Sequence, residues 1–216
     1  MISFIDRLKQ VFFFKLATIY LRYLIGFAFV FASFVKIRGE RFTVLPVSNP
    51  VGYFFEAMYQ TGMYWKFLGW SQLIAGALLM SQRFSTIGAM LFLPVIANVF
   101  MITISVNFGM GTPIITSLML LGTLYLLLWD CKKWLILFHR DHTIKLDLTQ
   151  QPEDKFMTDP VWTITGVTFV ALSAFPHMTR WSYFFVWMVI MIVVGVMALV
   201  VALYRNKKRF VLSPKV

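Results

Sequence analysis

The sequence predicts an all-α integral membrane protein with six spans and both termini on the cytoplasmic side. Three observations carry this. The 216 residues are 59% hydrophobic and only 13% charged, and mean hydropathy is +0.76, more apolar than a soluble domain can carry without exposing large apolar patches. The apolar residues fall in segments of helix length, about 20 residues being needed to cross the hydrocarbon core, and the ten-residue alternation of a membrane barrel is absent. The cations flank these segments asymmetrically.

The first span is expected over Phe14 to Val35, the second over Trp65 to Met80 and the third over Ser85 to Val106. The fourth covers Pro113 to Trp129, with a helical continuation through Trp134 to Phe138. A polar linker follows, HRDHTIKLDLTQQPEDKFMTDP, which holds most of the acidic residues. The fifth span, Val161 to Phe175, stops before Pro176, and the sixth is a Val/Ile/Met-rich run from Trp181 to Tyr204. The expected division is therefore a bundle at 1–138, a cytoplasmic linker at 139–160 and a two-helix hairpin with a basic tail at 161–216. Because the linker offers few apolar contacts, the bundle is expected to stand without the hairpin. Between the first two spans, Val51, Phe54, Phe55 and Met58 recur at helical spacing, which predicts a short amphipathic helix lying over the bundle as a lid.

Orientation follows from the Lys and Arg count: 14 fall on the side of the N-terminus and five on the other. Lys15 and Arg22 break the apolar stretch that a cleaved signal peptide would need. The net charge of +11 reads as span-flanking cations facing anionic lipid rather than as a nucleic-acid surface, so the bilayer is the expected partner and nucleic acid is not. The one cysteine, Cys131, leaves the redox compartment undecided.

Arg22 lies within the first span. Lys15, Arg22, Phe29 and Lys36 are seven apart, with Gly26 and Ser33 between them, so all share one helical stripe. In the second span Gly69, Gln72 and Gly76 follow the same spacing and Arg83 continues it. In the third, Gly88, Asn98 and Ser105 are expected on one side, with Pro94 kinking the helix. Polar groups in lipid should face one another or a wet cavity. None of the nine acids lies inside an expected span, so the partners expected for Arg22 are Gln72, Asn98, backbone carbonyls, an anion or water. Two readings stand side by side: Arg22 snorkels to lipid phosphates, or it anchors a polar pocket with Lys36, Gln72 and Asn98, where Gly26, Gly69, Gly76 and Gly88 let the helices close up.

The pattern LRYLIG with Lys36 ten residues after its glycine, the second-span GWSQLIAGALLM and the following RFSTIGAMLFLPVIANVF resemble the DoxX-like family of small bacterial membrane proteins, over roughly residues 14–138. The resemblance implies a DoxX-like four-helix transmembrane bundle in the bacterial inner membrane, linked in some members to thiosulfate or quinone oxidation. Arg22, Gly26, Lys36, Gln72 and Gly76 fall on the family's recurrent positions, and Gln72 stands where members often carry Glu. The last two spans lie outside it.

Self-contained catalysis is not expected. His139 and His142 sit in the linker and His177 in a short turn, so neither haem nor a metal site is expected, and no nucleophile triad or phosphate-binding glycine loop occurs. Two functions remain. One is an accessory subunit of a redox-linked membrane complex that holds a quinone or small anion. The other is an assembly, chaperone or inhibitor protein that binds another membrane protein, for which the run VWMVIMIVVGVMALVVALY is the available face.

Overall fold

The computed structural model describes residues 2–109, 111–135, 154–178 and 184–212. The linker through residue 153 with His139 and His142, the start of the sixth expected span at Trp181, Arg180 and the tail beyond residue 212 lie outside the described residues. Every regular element among the described residues is helical: α1 (Ile2–Gln10), α2 (Phe12–Ile37), α3 (Pro50–Gln60), α4 (Met63–Met80), α5 (Ser85–Ser105), α6 (Gly111–Trp129), α7 (Cys131–Leu135), α8 (Pro160–Ser173), α9 (Phe175–Met178) and α10 (Phe184–Leu212). Four are long and apolar enough to cross a bilayer: α2, α5, α6 and the 185–207 part of α10. α4 is also 18 residues long, but Lys66, Ser71 and Gln72 lower its hydropathy, and α8 has only 14 residues.

α2 packs along α4, α4 on α5, α5 on α6, and α6 returns to α2, which closes a four-helix ring. Small residues set the spacing. A Cβ on Gly26 would lie 2.5 Å from Met80 Cγ and 2.8 Å from the Gly76 carbonyl oxygen, and one on Gly76 would lie 2.8 Å from the Gly26 carbonyl oxygen. The two backbones therefore touch directly, the small-residue contact that holds helices together where lipid is as apolar as leucine. Gly88 meets the backbone of Leu78 and Leu79 in the same way. Gly26→Val is expected to lower the thermal midpoint in detergent, because the backbone of Gly76 cannot yield and overpacking costs about 1–3 kcal/mol. Gly195→Ala, whose added carbon would meet only Phe169 Cζ at 3.7 Å, is expected to leave it unchanged.

α8 and α10 do not form a separate body. Ile19, Tyr23 and Val30 of α2 and Met80 of α4 share one buried cluster with Phe156, Trp162 and Phe169, and with Ala198 and Ala202 of α10. Polar contacts accompany the packing: the Tyr23 hydroxyl donates to the Trp162 carbonyl, Tyr20 to the Gly195 carbonyl at 3.3 Å, and Thr163 to the Ser81 carbonyl at 2.9 Å. A Cβ on Gly166 would collide with the Met80 carbonyl. Asp159 caps α8 by accepting from Val161 N at 3.0 Å and pairs with Arg205 of α10 at 3.2 Å. The expectation of a freestanding 1–138 bundle meets a core built from both parts. The polar linker hid this, because an interface between distant helices leaves no mark on the segment that joins them.

At its distal end α2 stops in a glycine turn. Gly39 adopts φ +70°, its N–H reaches the Lys36 carbonyl at 3.0 Å and that of Glu40 reaches Val35 at 2.9 Å, which satisfies the last carbonyls. The chain then runs to Asn49, whose side chain caps α3 by accepting from Val51 N at 2.9 Å, with Pro50 at the first helical position. α3 is the amphipathic lid: Val51 is buried, Phe54, Phe55 and Met58 are partly covered, and Tyr53, Ala57 and Gln60 face out.

Candidate functional site

The four expected pocket residues do not converge; they occupy three separate places. Arg22 is at the basal end of the bundle, ten residues into α2. It is 3% exposed, and its guanidinium donates to Asp130 Oδ2 at 2.8 Å and to Gln82 Oε1 at 2.9 Å. Gln82 in turn donates to the Ile19 carbonyl at 3.4 Å, while Lys133 approaches the other oxygen of Asp130 at 3.3 Å. Neither Gln72 nor Asn98 is a partner of Arg22, and a carboxylate does pair with it.

Two features of the chain explain the difference. α2 begins at Phe12 and extends basally past the ends of α4 and α6, so Arg22 is level with those ends rather than deep in the slab. Asp130 is the first residue after α6, in the turn before α7, and is buried against α2 although it lies in no span. Gln82 enters through a turn: α4 ends at Met80, and Gln82 at φ 59° swings its side chain inward. Arg83, which helical projection would have kept on the stripe, is exposed over Phe84 at 5.6 Å. The legible signal was a polar residue at each of two neighbouring basal span ends. The Nε of Arg22 makes no hydrogen bond. Apart from that the cluster is closed, and it ties α2, the α4–α5 turn and the end of α6 together.

Lys36 lies fourteen residues further along α2, about 21 Å at helical rise. It is 4% exposed, and its ammonium donates to the Ala32 carbonyl at 3.1 Å. It also sits 4.5 Å from the ring centre of Phe42 and 5.3 Å from that of Trp65. A cation desolvated against two ring faces is held by their quadrupoles. No carboxylate pairs with it among the described residues. Trp65 is fixed by its indole N–H donating to the Glu40 carbonyl at 3.1 Å, and Phe42 by Phe55 of the lid at 4.8 Å. The lid is clamped by Arg41, which grips both oxygens of Glu56 at 2.8 and 3.0 Å. Those hydrogen bonds, with one from Gln60, hold the Glu56 carboxyl below its ordinary range, so this clamp persists above the usual carboxylate pKa and is lost as pH falls through the depressed one.

Gln72 is buried on the stretch of α4 that faces this end of α2. A Cβ on Gly69 would lie 2.9 Å from Lys36 Cβ, and α2 and α4 are antiparallel, so Ser33 and Gln72 each lie one turn basal of that contact and face each other's helix. Ser33 is fully buried and donates to the Val30 carbonyl at 2.6 Å. The Oε1 of Gln72 is buried with no hydrogen-bond partner, an acceptor left open in a place where that costs about 1–3 kcal/mol. Among the described residues, the distal half of the ring therefore holds a buried cation without a carboxylate and, about a turn away along the helices, a buried acceptor without a hydrogen bond.

Asn98 is elsewhere. Gly88 faces α4, whereas Asn98 and Ser105, seven residues apart, face outward; the expectation that all three share a side fails because ten residues do not close a whole number of helical turns. Asn98 lines a shallow, open groove between α5 and α3 with Phe54, Ala97, Met101 and Ser105. No family model, curated protein or solved structure matches the chain.

Proposed function

We propose that the protein is a multi-pass accessory component of a redox-linked complex in a bacterial inner membrane, both termini inside, and that it holds a quinone or small anion at Lys36. The observation that carries this reading is the buried Lys36 ammonium without a carboxylate, next to the unpaired Oε1 of Gln72. A charge kept in an apolar bundle needs compensation, and two aromatic faces and one carbonyl supply only part of it. A carbonyl or anionic oxygen would take the ammonium hydrogen bond, and the hydroxyl of the reduced, quinol form would donate to the glutamine acceptor, which the oxidised quinone has no donor to reach. The basal cluster of Arg22, Gln82 and Asp130 has a structural part in this reading: it holds the ring that the chamber is built on. Lys36 and Gln72 offer charge and hydrogen bonds, so a partner protein supplies the electrons. The DoxX-like resemblance of residues 14–138 points the same way.

Equilibrium binding of a decyl-substituted benzoquinone, and separately of sulfite, to the full chain in lipid nanodiscs tests this. One of the two is expected to bind, and Lys36→Met is expected to weaken it about tenfold or more, the worth of one charge-assisted hydrogen bond. Gln72→Leu should produce a smaller loss, read with the quinol form of the decyl-substituted probe, whose hydroxyl can donate to Oε1. Binding of neither probe, or binding indifferent to both substitutions, would overturn the reading.

A further inference from the structure

We infer that the groove at Asn98 is a lateral portal through which a neutral, bilayer-resident amphiphile of the quinone class reaches Lys36. The inference rests on the ligand-holding reading above and narrows it, since a soluble oxyanion would not arrive by this route.

Depth is the first support. Gly88 packs against Leu79, and Asn98 and Gly69 each stand ten residues distal of that contact on antiparallel helices. Asn98 is therefore level with Gly69, and Gly69 with Lys36, but on the outside of the ring. The chemistry of the groove is the second. Its lining carries no charged residue, and the amide of Asn98 is exposed on the outer face of α5. Exposed Leu91 and Met101 flank it on the same helix, so the amide stands as a polar group on an apolar outer face, where a lipid-borne carbonyl or hydroxyl can engage it. An amide offers one acceptor and two donors, which suits a neutral carbonyl or hydroxyl head, and the groove is open to the outside along α5, so a head group can enter it sideways.

Continuity with the chamber is the third. Phe54 lines the groove and its neighbour Phe55 touches Phe42 at 4.8 Å and Trp65 at 6.4 Å, the two rings that cover the Lys36 ammonium. A rotation of α3 that withdraws Phe54 and Phe55 together would join groove and chamber. The movement has to part the Arg41–Glu56 clamp and the ring contacts of Phe55 with Phe42, Trp65 and Phe108, which makes the lid the gate of the route.

The test uses the full chain in nanodiscs with two probes of the same head group, decyl-substituted benzoquinone and its tailless parent, followed by stopped-flow association. Ala97→Trp fills the groove from its wall, and Met101→Trp does so from another position should the first variant fold poorly. Either is expected to slow association of the tailed probe about tenfold while leaving that of the tailless probe near wild type, whereas Lys36→Met weakens both. Asn98→Leu should slow the tailed probe alone. If the filled groove leaves tailed-probe association unchanged while Lys36→Met still weakens binding, the portal is wrong and the ligand-holding function stands. If Lys36→Met alters neither probe, the function itself fails and the portal with it.

Discussion

Arg22→Leu is expected to destabilise the protein by about 3–5 kcal/mol, the usual cost of leaving one member of a buried ion pair without its partner. The substitution strands Asp130, 6% exposed at its side chain, with the Thr86 side chain and the solvent-facing Lys133 left near it, and removes the donor to Gln82 Oε1. Asp130→Leu is expected to cost a similar amount by stranding the guanidinium. The double variant Arg22→Leu/Asp130→Leu should recover much of the loss, because a buried pair exchanged for apolar residues is often near neutral. Arg22→Lys should recover little, since one ammonium cannot reach both the carboxylate and the glutamine with the geometry of a planar fork. Thermal unfolding in detergent across this four-member cycle is the measurement. Single variants as stable as the wild type would show that the arginine contributes nothing through Asp130, and an additive double variant would show that the two act independently.

Removing the last two helices is expected to have the larger effect. A chain ending at Thr149 loses Trp162 and Phe169 from the cluster around Tyr23 and Met80, and uncovers Tyr20, whose hydroxyl donates to α10. In a bilayer such surfaces gain little from leaving lipid, so what is lost is close packing and interhelical hydrogen bonds rather than hydrophobic burial. The hydroxyls of Tyr20 and Tyr23 lose their α10 and α8 acceptors, and Met80 loses the glycine face of Gly166. The truncated chain should aggregate or be degraded where the full chain is monodisperse on size exclusion, and supplying residues 154–216 as a second chain should restore part of the yield. A monodisperse 1–149 fragment with the full chain's thermal midpoint would sink the shared core.

What the sequence determined by itself is what belongs to one helix at a time. Hydropathy and length located the four helices long and apolar enough to cross a bilayer, and cation spacing proposed an orientation. The four-three repeat of Gly26, Ser33 and Lys36 placed those residues on one face, because period 3.6 depends on nothing outside the segment. The lid helix was legible for the same reason, from Val51, Phe54, Phe55 and Met58. What only the tertiary structure decided is which faces meet and at what level. The carboxylate of Arg22 comes from 108 residues away and lies in no span, so a search confined to spans could not find it. Gln82 enters by a left-handed turn that ends the helical projection, and Lys36 gains its aromatic cover from a lid and a neighbouring helix. Asn98 turns outward because the rotation of α5 about its axis is set by Gly88 packing on α4. Helix register and rotation are relations between segments, fixed by close backbone contact at glycines, and no periodicity within one segment encodes them.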